Sequence, residues 1–257
     1  MDSQQIIRLM NEEELNVVRA LEKCVEPIAK AAERVSKAFL SGGRVVYVGA
    51  GTSGRIATMD AAEMPPTFGI ESDRFSALIA GGAEAGQTAV EDAEDDMIGA
   101  IDAINRLRMT PHDVVIGIAA SGTTPFVVSA VHHAKQKGVW TCGIANNART
   151  PLLEEADLPI FLDTGPEVLT GSTRLKAGTA QKLALNRIST TAMILSGKVV
   201  ENLMVDVKAK NSKLKERCCR IVAELSNATR DEARELLESS DWNIRTVLAK
   251  LRSPIAS

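Results

Sequence analysis

Five short runs rich in β-branched residues, separated by longer helical stretches, constrain the fold of this chain more than any other feature. The runs cover residues 45–48, 76–79, 114–119, 139–144 and 159–162. Short continuous apolar runs are typical of strands buried on both faces, and their alternation with helices indicates right-handed crossover connections between parallel strands. The sequence therefore predicts an α/β fold built on a parallel sheet sandwiched by helices.

Helical periodicity is found on both sides of this alternating region. A leading helix that ends at residues 41–43 is predicted by apolar residues at steps of three and four, namely Val25, Ile28, Ala32, Val35 and Phe39. Two further helical patterns follow the last strand, near residues 175–197 and 201–209. We expect helices at all three places.

The C-terminal part of the chain has the pattern of a separate small module. Residues 213–251 predict three short helices. Thr229 and Glu232 have the spacing of a capping box, and Asp241 is placed to cap the last helix. We therefore predict one large α/β domain over residues 1–210, and a small helical module that resembles UBA domains over residues 211–257.

The length and charge of the chain limit what it can bind. With 257 residues, 45% of them hydrophobic, the chain can bury a full core. The 30 basic and 33 acidic residues give a formal net charge of -3, so no global field recruits nucleic acid or an anionic membrane. Any anionic ligand must be held by local geometry.

The cysteines and histidines give no sign of a metal or redox site. Cys24, Cys142, Cys218 and Cys219 show no CxxC spacing, and the 3 histidines form no metal-ligand pattern, so we expect free thiols and no structural metal. The chain starts without the basic and apolar segments of a signal peptide, and no apolar run reaches membrane-spanning length. Cytoplasmic residence is the expectation.

Glycine and hydroxyl residues follow two of the predicted strands, at the points where helices begin. The first loop is Gly-Ala-Gly-Thr-Ser-Gly-Arg at 49–55, and the second is Ala-Ser-Gly-Thr-Thr-Pro at 120–125. Backbone N–H groups and the positive end of a helix would face an anion there, and neighbouring parallel strands would bring both loops to one crevice. The alternative is that these residues only make tight turns and helix caps. Because GxxxxGK[ST] is absent and GxGxxG is incomplete, a small phosphate ester fits better than a nucleotide.

Six longer motifs carry a family resemblance over nearly the whole chain. They are GAGTSGR (49–55), DAAEMPPTFG (60–69), IAGG (79–82), AVEDAEDD (89–96), GIAASGTTP (117–125) and GPEVLTGSTRLKAGTAQKLALNRIST (165–190). In these motifs the chain resembles the N-acetylmuramic acid 6-phosphate etherases, which are related to the glucokinase regulatory protein. The resemblance implies a sugar-isomerase (SIS) fold followed by a small helical module.

The same resemblance implies a lyase reaction that requires no cofactor. D-Lactate is removed from carbon 3 of N-acetylmuramic acid 6-phosphate, water is added, and N-acetylglucosamine 6-phosphate is formed. By motif, Glu63 matches the residue that protonates departing lactate and Glu94 matches the base at carbon 2. An acid role requires a protonated Glu63, which burial or a nearby negative charge would favour. Without the resemblance, the run at 91–96 would be a solvated helix face, and a helix would be expected to end before Pro65.

The phosphate and pocket residues are also expectations. The candidates for the 6-phosphate are the side chains of Thr52, Ser53, Ser121, Thr123 and Thr124, with the amides of Gly54 and Gly122. Arg55 or Lys176 would add charge, although a surface ion pair is an equal alternative for Arg55. The resemblance places four residues in the pocket lining, with a structural role as the alternative for each: Glu167, Ser172, Arg174 and Lys176.

The chain departs from the usual family pattern in three places. Relatives commonly have an arginine where Thr123 stands, a Cys-Asn-Pro-like turn at 146–148, and an additional N-terminal segment with a TE-x-x-N type motif. Two other functions therefore stay open: a non-catalytic sugar-phosphate regulator and an aldose–ketose isomerase. Because SIS proteins are commonly dimers with shared pockets, we expect a homodimer that acts in amino-sugar metabolism and peptidoglycan recycling.

Overall fold

The computed structural model describes residues 1–88, 90, 92–209 and 211–252. The helices are α1 Ser3–Lys23, α2 Val25–Leu40, α3 Gly51–Phe68, α4 Met97–Arg106, α5 Pro125–Gln136, α6 Pro151–Glu155, α7 Lys176–Leu195, α8 Ser212–Leu225, α9 Arg230–Glu238 and α10 Ile244–Arg252. The strands are β1 Val45–Gly49, β2 Phe75–Ile79, β3 Val114–Ile118, β4 Trp140–Ala145, β5 Leu158–Phe161, β6 Val199–Val200 and β7 Leu203–Met204. Two short 3-10 helices, Ala83–Gly86 and Ala93–Asp95, lie between β2 and α4.

The predicted parallel sheet is confirmed. β1 to β5 form one sheet in the order β2-β1-β3-β4-β5, and every neighbouring pair in it is parallel. Val45 of β1 is in register with Phe75 on one side and with Val114 on the other. Each of the five strands lies within two residues of its predicted run, because a buried parallel strand has the clearest sequence pattern of any element.

Both faces of the sheet are covered by helices. On one face, Val46, Val48 and Val115 pack into a core with α4, α5 and α6. Because side chains alternate along a strand, Tyr47 points to the other face, where its hydroxyl reaches Asp60 of α3. Because successive side chains of a strand are buried on opposite faces of the sheet, β1, β3 and β4 are almost continuously apolar. All four cysteines are buried and free, as expected.

The chain forms two compact units. The first comprises residues 1–62 and 72–192, and the second comprises residues 63–71 and 193–257. The helices α3 and α7 each contribute residues to both units. The second unit has its own core, in which Val205 and Val207 pack with apolar residues of α8, α9 and α10.

The helix predicted at residues 201–209 is wrong. β6 and β7 form an antiparallel hairpin there, with Val200 opposite Leu203 and Glu201 at a φ of 54° in the turn. Val199, Val200 and Val205 are β-branched and favour extended backbone over helix. The pairing of these two short strands across a local turn is therefore preferred to the helix that the spacing of apolar residues predicted.

Two expectations about helix ends also need correction. α10 is capped by Asn243, whose side chain accepts from the N–H of Thr246 at 2.9 Å, and Asp241 instead adopts a left-handed turn with a φ of 49°. α3 does not end before Pro65 but continues to Phe68, and Gly69 closes it by donating to the Pro65 carbonyl. The three C-terminal helices and the Thr229–Glu232 capping box are confirmed.

Candidate functional site

The two glycine- and hydroxyl-rich loops lie side by side at the carboxyl edge of the sheet. The first joins β1 to α3, and the second joins β3 to α5. β1 and β3 are hydrogen-bonded neighbours, yet the chain continues from β1 to β2 on one side and from β3 to β4 on the other. Such a reversal of strand order opens a crevice in which ligands of parallel sheets bind.

The first loop is too tight for side chains at two of its glycines. A Cβ atom on Gly49 would lie 2.7 Å from the backbone nitrogen of Gly54, and one on Gly54 would lie 2.6 Å from Ile79 Cγ1. The Gly54 N–H already donates to the carbonyl of Ala50 at 3.1 Å. The expectation that this amide assists the phosphate is therefore wrong for this conformation, since its hydrogen is used within the helix.

The second loop depends on Gly122 for a different reason. Its φ is +70°, and a Cβ atom there would collide with the side chain of Thr150. Thr150 is buried, and its hydroxyl has no hydrogen-bond partner among the described residues. The Gly122 N–H donates to Ala119 O at 3.0 Å, so this amide is not available to a phosphate either. Because Gly122 has no side chain, the backbone of the second loop can pack directly against Thr150.

The hydroxyl side chains of the second loop remain accessible. Thr123 is exposed, and Ser121 and Thr124 are partly exposed. The Ser121 hydroxyl oxygen accepts from the Thr123 N–H at 3.2 Å, which folds the loop back on itself. In the first loop Thr52 is partly exposed and lies close to Gly178 of α7. Four of the five hydroxyls expected at a phosphate thus remain accessible on the crevice loops.

A buried chain of polar side chains supports the first loop from below. Ser53, which is 7% exposed, donates to Gln181 Oε1 at 2.8 Å. Gln181 Nε2 donates to Asn146 Oδ1 at 2.9 Å, and Asn146 Nδ2 donates to Leu162 O at 3.0 Å. These hydrogen-bonded side chains therefore join the loop after β1 to α7 and to the turns after β4 and β5. Gln181 is absent from the sequence-based candidates, because a glutamine in a helix gives no local signal.

Glu94 lines a cavity beside the first loop. This cavity has a volume of about 420 Å³ and is bounded by residues that include Gly51, Arg55, Ala80, Asp92 and Glu94; we call it the strand-end cavity. Glu94 lies on the 3-10 helix Ala93–Asp95, which follows Asp92 in a left-handed conformation with a φ of 59°. Ala89 and Glu91 of the same motif lie outside the described residues. The acidic residues that the structure describes in this run, at 92 and 94–96, are all exposed, as the solvated alternative expects, although the described part of the segment forms a 3-10 turn.

Arg55 ties the first turn of α3 to the acidic segment. Its Nη2 donates to the carbonyl of Thr88 at 2.9 Å, and its side chain lines the strand-end cavity with Glu94. An arginine there brings a positive charge to the cavity.

Glu63 lies on α3 within the part of that helix that belongs to the second compact unit. Its side chain is exposed. The burial expected for an acid role is therefore not found in the single chain. Its catalytic role remains a prediction.

Glu167 and Lys176 are engaged in contacts within the chain. Both carboxylate oxygens of Glu167 accept backbone N–H groups at the start of α7, from Lys176 at 3.1 Å and from Ala177 at 2.9 Å. Lys176 is buried and its ammonium group pairs with Glu13. The expectation that Lys176 offers its charge to a phosphate is thus contradicted here. Ser172 is partly buried and Arg174 is exposed.

Asp60, in the same motif as Glu63, is a buried carboxylate that sequence analysis missed. It accepts from the hydroxyls of Tyr47 at 3.0 Å and Ser189 at 3.3 Å, and Lys182 lies 3.9 Å away. Burial raises the pKa of Asp60, and these partners offset part of that rise. The network joins β1, α3 and α7 behind the crevice loops.

Other cavities lie within the second unit. One of about 880 Å³ is lined by α8, α9 and α10 residues such as Leu225, Leu236 and Leu248. One of the two glutamates that line it, Glu232, is occupied by the capping box with Thr229. It is larger than the strand-end cavity but lacks the glycine loops of the crevice. In the part of the chain that the structure describes, no cluster of histidine, cysteine or carboxylate side chains could hold a metal ion, and no helix is long and apolar enough to cross a membrane.

Solved structures with a similar fold include proteins of sugar-phosphate chemistry. Phosphoheptose isomerase from Neisseria gonorrhoeae has a TM-score of 0.58 at 19% identity, covering 76% of this chain and 99% of that protein. The Vibrio vulnificus NanR protein complexed with ManNAc-6P has a TM-score of 0.56 at 17% identity, covering 76% of this chain and 66% of that protein. At these identities the likeness establishes the fold.

Family models and sequence relatives define the class of the protein and then its family. Residues 27–135 match the N-terminal SIS domain of glucokinase regulatory protein, residues 96–188 match the SIS domain, and residues 201–256 match the C-terminal lid domain of glucokinase regulatory protein. The chain is a SIS-domain protein. It is 48% identical over 251 residues to the N-acetylmuramic acid 6-phosphate etherase of Geobacillus thermodenitrificans, covering 98% of this chain and 85% of that protein. The Pectobacterium atrosepticum etherase is 46% identical over 252 residues, covering 98% and 83%. The chain belongs to the N-acetylmuramic acid 6-phosphate etherase family.

Proposed function

We propose that this chain cleaves the D-lactyl ether of N-acetylmuramic acid 6-phosphate, producing N-acetylglucosamine 6-phosphate and D-lactate. The family to which the chain belongs supports the reaction, and one structural observation supports the strand-end cavity as its site. Glu94 lines the strand-end cavity together with Arg55 and Gly51 of the first loop. A carboxylate and a fixed positive charge beside the glycine-rich loop are what proton abstraction from a bound sugar phosphate requires.

The chemistry proceeds by elimination and addition. In the open-chain sugar the aldehyde acidifies the proton on carbon 2, and Glu94 removes it as the general base. The electrons form a carbon 2–carbon 3 double bond as the carbon 3–oxygen bond breaks, and lactate leaves with a proton from Glu63. Water then adds at carbon 3 and a proton returns to carbon 2. Each positioned acid or base contributes about 10²–10⁴-fold to such a step.

The phosphate is held by the second loop. Ser121, Thr123 and Thr124 have hydroxyls at the N-terminal end of α5, where the helix dipole favours an anion. Pro125 at the first turn of α5 has no N–H, so side-chain hydroxyls replace one of the backbone donors that a helix start would otherwise offer. Thr52 of the first loop adds a further hydroxyl.

The active form is a homodimer, and the enzyme works in cytoplasmic amino-sugar metabolism during peptidoglycan recycling. Support for the dimer comes from α1, which exposes Ile6, Ile7, Leu15 and Val18 by 46% to 57% each. Apolar side chains exposed along one helix favour a contact with a second copy. A monomeric mass in solution with full activity would contradict a shared site.

One assay tests the reaction and its mechanism together. The protein is incubated with N-acetylmuramic acid 6-phosphate in heavy water, and lactate release and deuterium at carbon 2 of the product are followed. We expect one lactate per sugar and deuterium at carbon 2, because the proton removed there is replaced from solvent. Lactate release without deuterium would reject the elimination mechanism.

The same assay separates the two other functions. A sugar-phosphate regulator would bind the substrate and give neither signal. This alternative is considered because the chain matches two domains of glucokinase regulatory protein. An isomerase would at most exchange the carbon 2 proton without releasing lactate, because the acetamido group on carbon 2 of this substrate cannot become a ketone carbonyl. Either result would reject the lyase assignment.

A further inference from the structure

A small cavity of the second unit is lined by charged side chains of α8 and α9. It has a volume of about 300 Å³, and we call it the basic cavity. The described residues that line it are four cations and one carboxylate, namely Lys213, Arg217, Arg220, Arg230 and Glu216. All five belong to the second compact unit. Because pockets for lipids, nucleobases and other apolar groups are lined mainly by apolar side chains, this lining suits a small and highly polar ligand.

The carboxylate in this lining is already neutralised by α9. Oε2 of Glu216 lies 2.5 Å from Nη2 of Arg234, and Oε1 lies 3.8 Å from Nη1 of Arg230. Lys215, the α8 cation outside the lining, lies 4.8 Å from the centroid of the Trp242 ring. The other three cations of α8 form no ion pair with any described residue. The cations of α8 that lack a partner are therefore those that line the basic cavity.

The order of charges along α8 is unfavourable for a helix by itself. Lys213 lies in the first turn, which contains no acidic residue, and Glu224 lies in the last turn, which contains no basic residue. The helix dipole favours the reverse order, and Lys213 and Arg217 are like charges four residues apart. α9 of the same unit has the favourable order, with Asp231 and Glu232 in its first turn. The stability of α8 therefore does not explain its charges, whereas a bound anion would offset both unfavourable terms.

The spacing of the cations indicates the size of that anion. Lys213 and Arg220 are seven residues apart, which is about 10 Å along a helix. Arg217 lies between them, and Arg230 adds a guanidinium group from α9. A guanidinium group binds phosphate oxygens through two parallel hydrogen bonds. A single phosphate group is too small to contact cations spread over this length, but two linked phosphate groups can do so.

We propose that the basic cavity binds a compact metabolite with two or more phosphate groups, of the class of sugar bisphosphates and pyrophosphate. Arg217 and Arg220 are its principal ligands on α8, with Lys213 at one end and Arg230 on the facing helix. None of these residues belongs to the strand-end cavity or to the two glycine-rich loops. The inference therefore does not rest on the proposed function.

Calorimetry with inorganic pyrophosphate and the full chain tests the site. Arg217→Gln should weaken pyrophosphate about tenfold or more, since it removes hydrogen bonds between charged groups. Lys250→Gln, which removes one charge from an exposed position on α10, is the matched control. It should stay within about twofold of the unchanged protein at the same ionic strength, because an exposed charge outside the cavity is largely screened.

Thermal unfolding separates binding from a structural role of the same arginine. Without ligand, Arg217→Gln should leave the thermal midpoint unchanged or raise it, because repulsion along α8 is relieved. Pyrophosphate should raise the midpoint of the unchanged protein and have little effect on the variant, since only a ligand of the folded state stabilises it. Arg220→Gln, at an exposed position, should behave in the same way and replaces Arg217→Gln if that variant does not fold.

Four results would overturn the inference. Equal loss of affinity in Arg217→Gln and Lys250→Gln would show general attraction to the surface, and an affinity unchanged by Arg217→Gln would place the binding elsewhere. A lower midpoint in both arginine variants without ligand would show that these side chains only support the fold. Finally, a single-stranded oligonucleotide that binds more tightly than pyrophosphate, and that Arg217→Gln weakens, would assign the surface to nucleic acid.

Discussion

The ammonium group of Lys176, a residue that is only 2% exposed, lies 2.5 Å from the carboxylate of Glu13. This contact joins the first residue of α7 to the middle of α1. On the same residue, the backbone N–H of Lys176 is capped by Glu167. Two carboxylates therefore hold the start of α7: Glu167 accepts from the helix backbone, and Glu13 pairs with the buried ammonium group.

Glu13→Gln removes the counter-charge of a buried ammonium group, and we expect a lower thermal midpoint. The hydrogen bond and charge of Lys176 hold the pKa of Glu13 below its ordinary value. A lowered pKa means that the contribution to stability is present above the ordinary value of about 4.3 and is lost as the pH falls through the lower, folded-state value. The difference from the unchanged protein should therefore shrink in acid. Glu12→Gln, at an exposed position on the same helix, is the control and should have little effect at either pH.

Asp113→Asn should lower the free energy of unfolding by about 2 kcal/mol at pH 7, because it disrupts charged hydrogen bonds to a buried carboxylate. Burial alone would raise the pKa of Asp113, but bonds from Arg44 and from the Thr110 N–H outweigh burial and hold the pKa below its ordinary value. The stabilisation is present above the unfolded value of about 3.9 and is lost as the pH falls through the folded-state pKa.

Denaturant unfolding of the Asp113 variant and the unchanged protein at several pH values measures this effect. The two stabilities should begin to converge below about pH 3.9 and should meet below the folded-state pKa of Asp113. Asp102→Asn, at an exposed position on α4, should match the unchanged protein throughout. A loss that stays constant from neutral to acid pH would show that packing rather than charge is responsible.

Gly122→Ala should abolish phosphate binding, because the new Cβ atom would collide with Thr150 and force the second loop out of place. Gly138→Ala is a matched control: its φ is +76°, but no atom lies within 4 Å of the added Cβ. The control pays only the backbone strain of about 1 kcal/mol and should bind phosphate normally. Calorimetry with inorganic phosphate measures both, and equal binding by the two variants would show that the contact with Thr150 is unimportant.

Glu94→Gln and Glu63→Gln should separate the two proton transfers. Loss of the base should slow carbon 2 exchange and lactate release together by about 10²–10⁴-fold, whereas loss of the acid should slow release and leave exchange detectable. Asp95→Asn changes the neighbouring residue of the same 3-10 helix and should remain active. If Glu63→Gln loses exchange as fully as Glu94→Gln does, the assigned roles are reversed or shared.

Local sequence patterns were sufficient for the sheet and for most helices. Buried parallel strands carry their signal in consecutive residues, and the capping box at Thr229 is complete within four positions. The patterns were insufficient where two local preferences competed, as at residues 199–204, where β-branched residues formed a hairpin. Asn243 replaced Asp241 as the cap of α10 because backbone conformation, rather than residue type, selects the capping position.

The motifs were sufficient to name candidate residues and to place the chain in its family, because those features depend on which residues follow one another. The hydrogen-bonding state of each candidate depends on partners far away in the chain. Ser53 meets Gln181 across 128 positions, and Lys176 meets Glu13 across 163. The direction in which a hydroxyl points, and whether a lysine is free, follow from such contacts, and folding alone brings those side chains together.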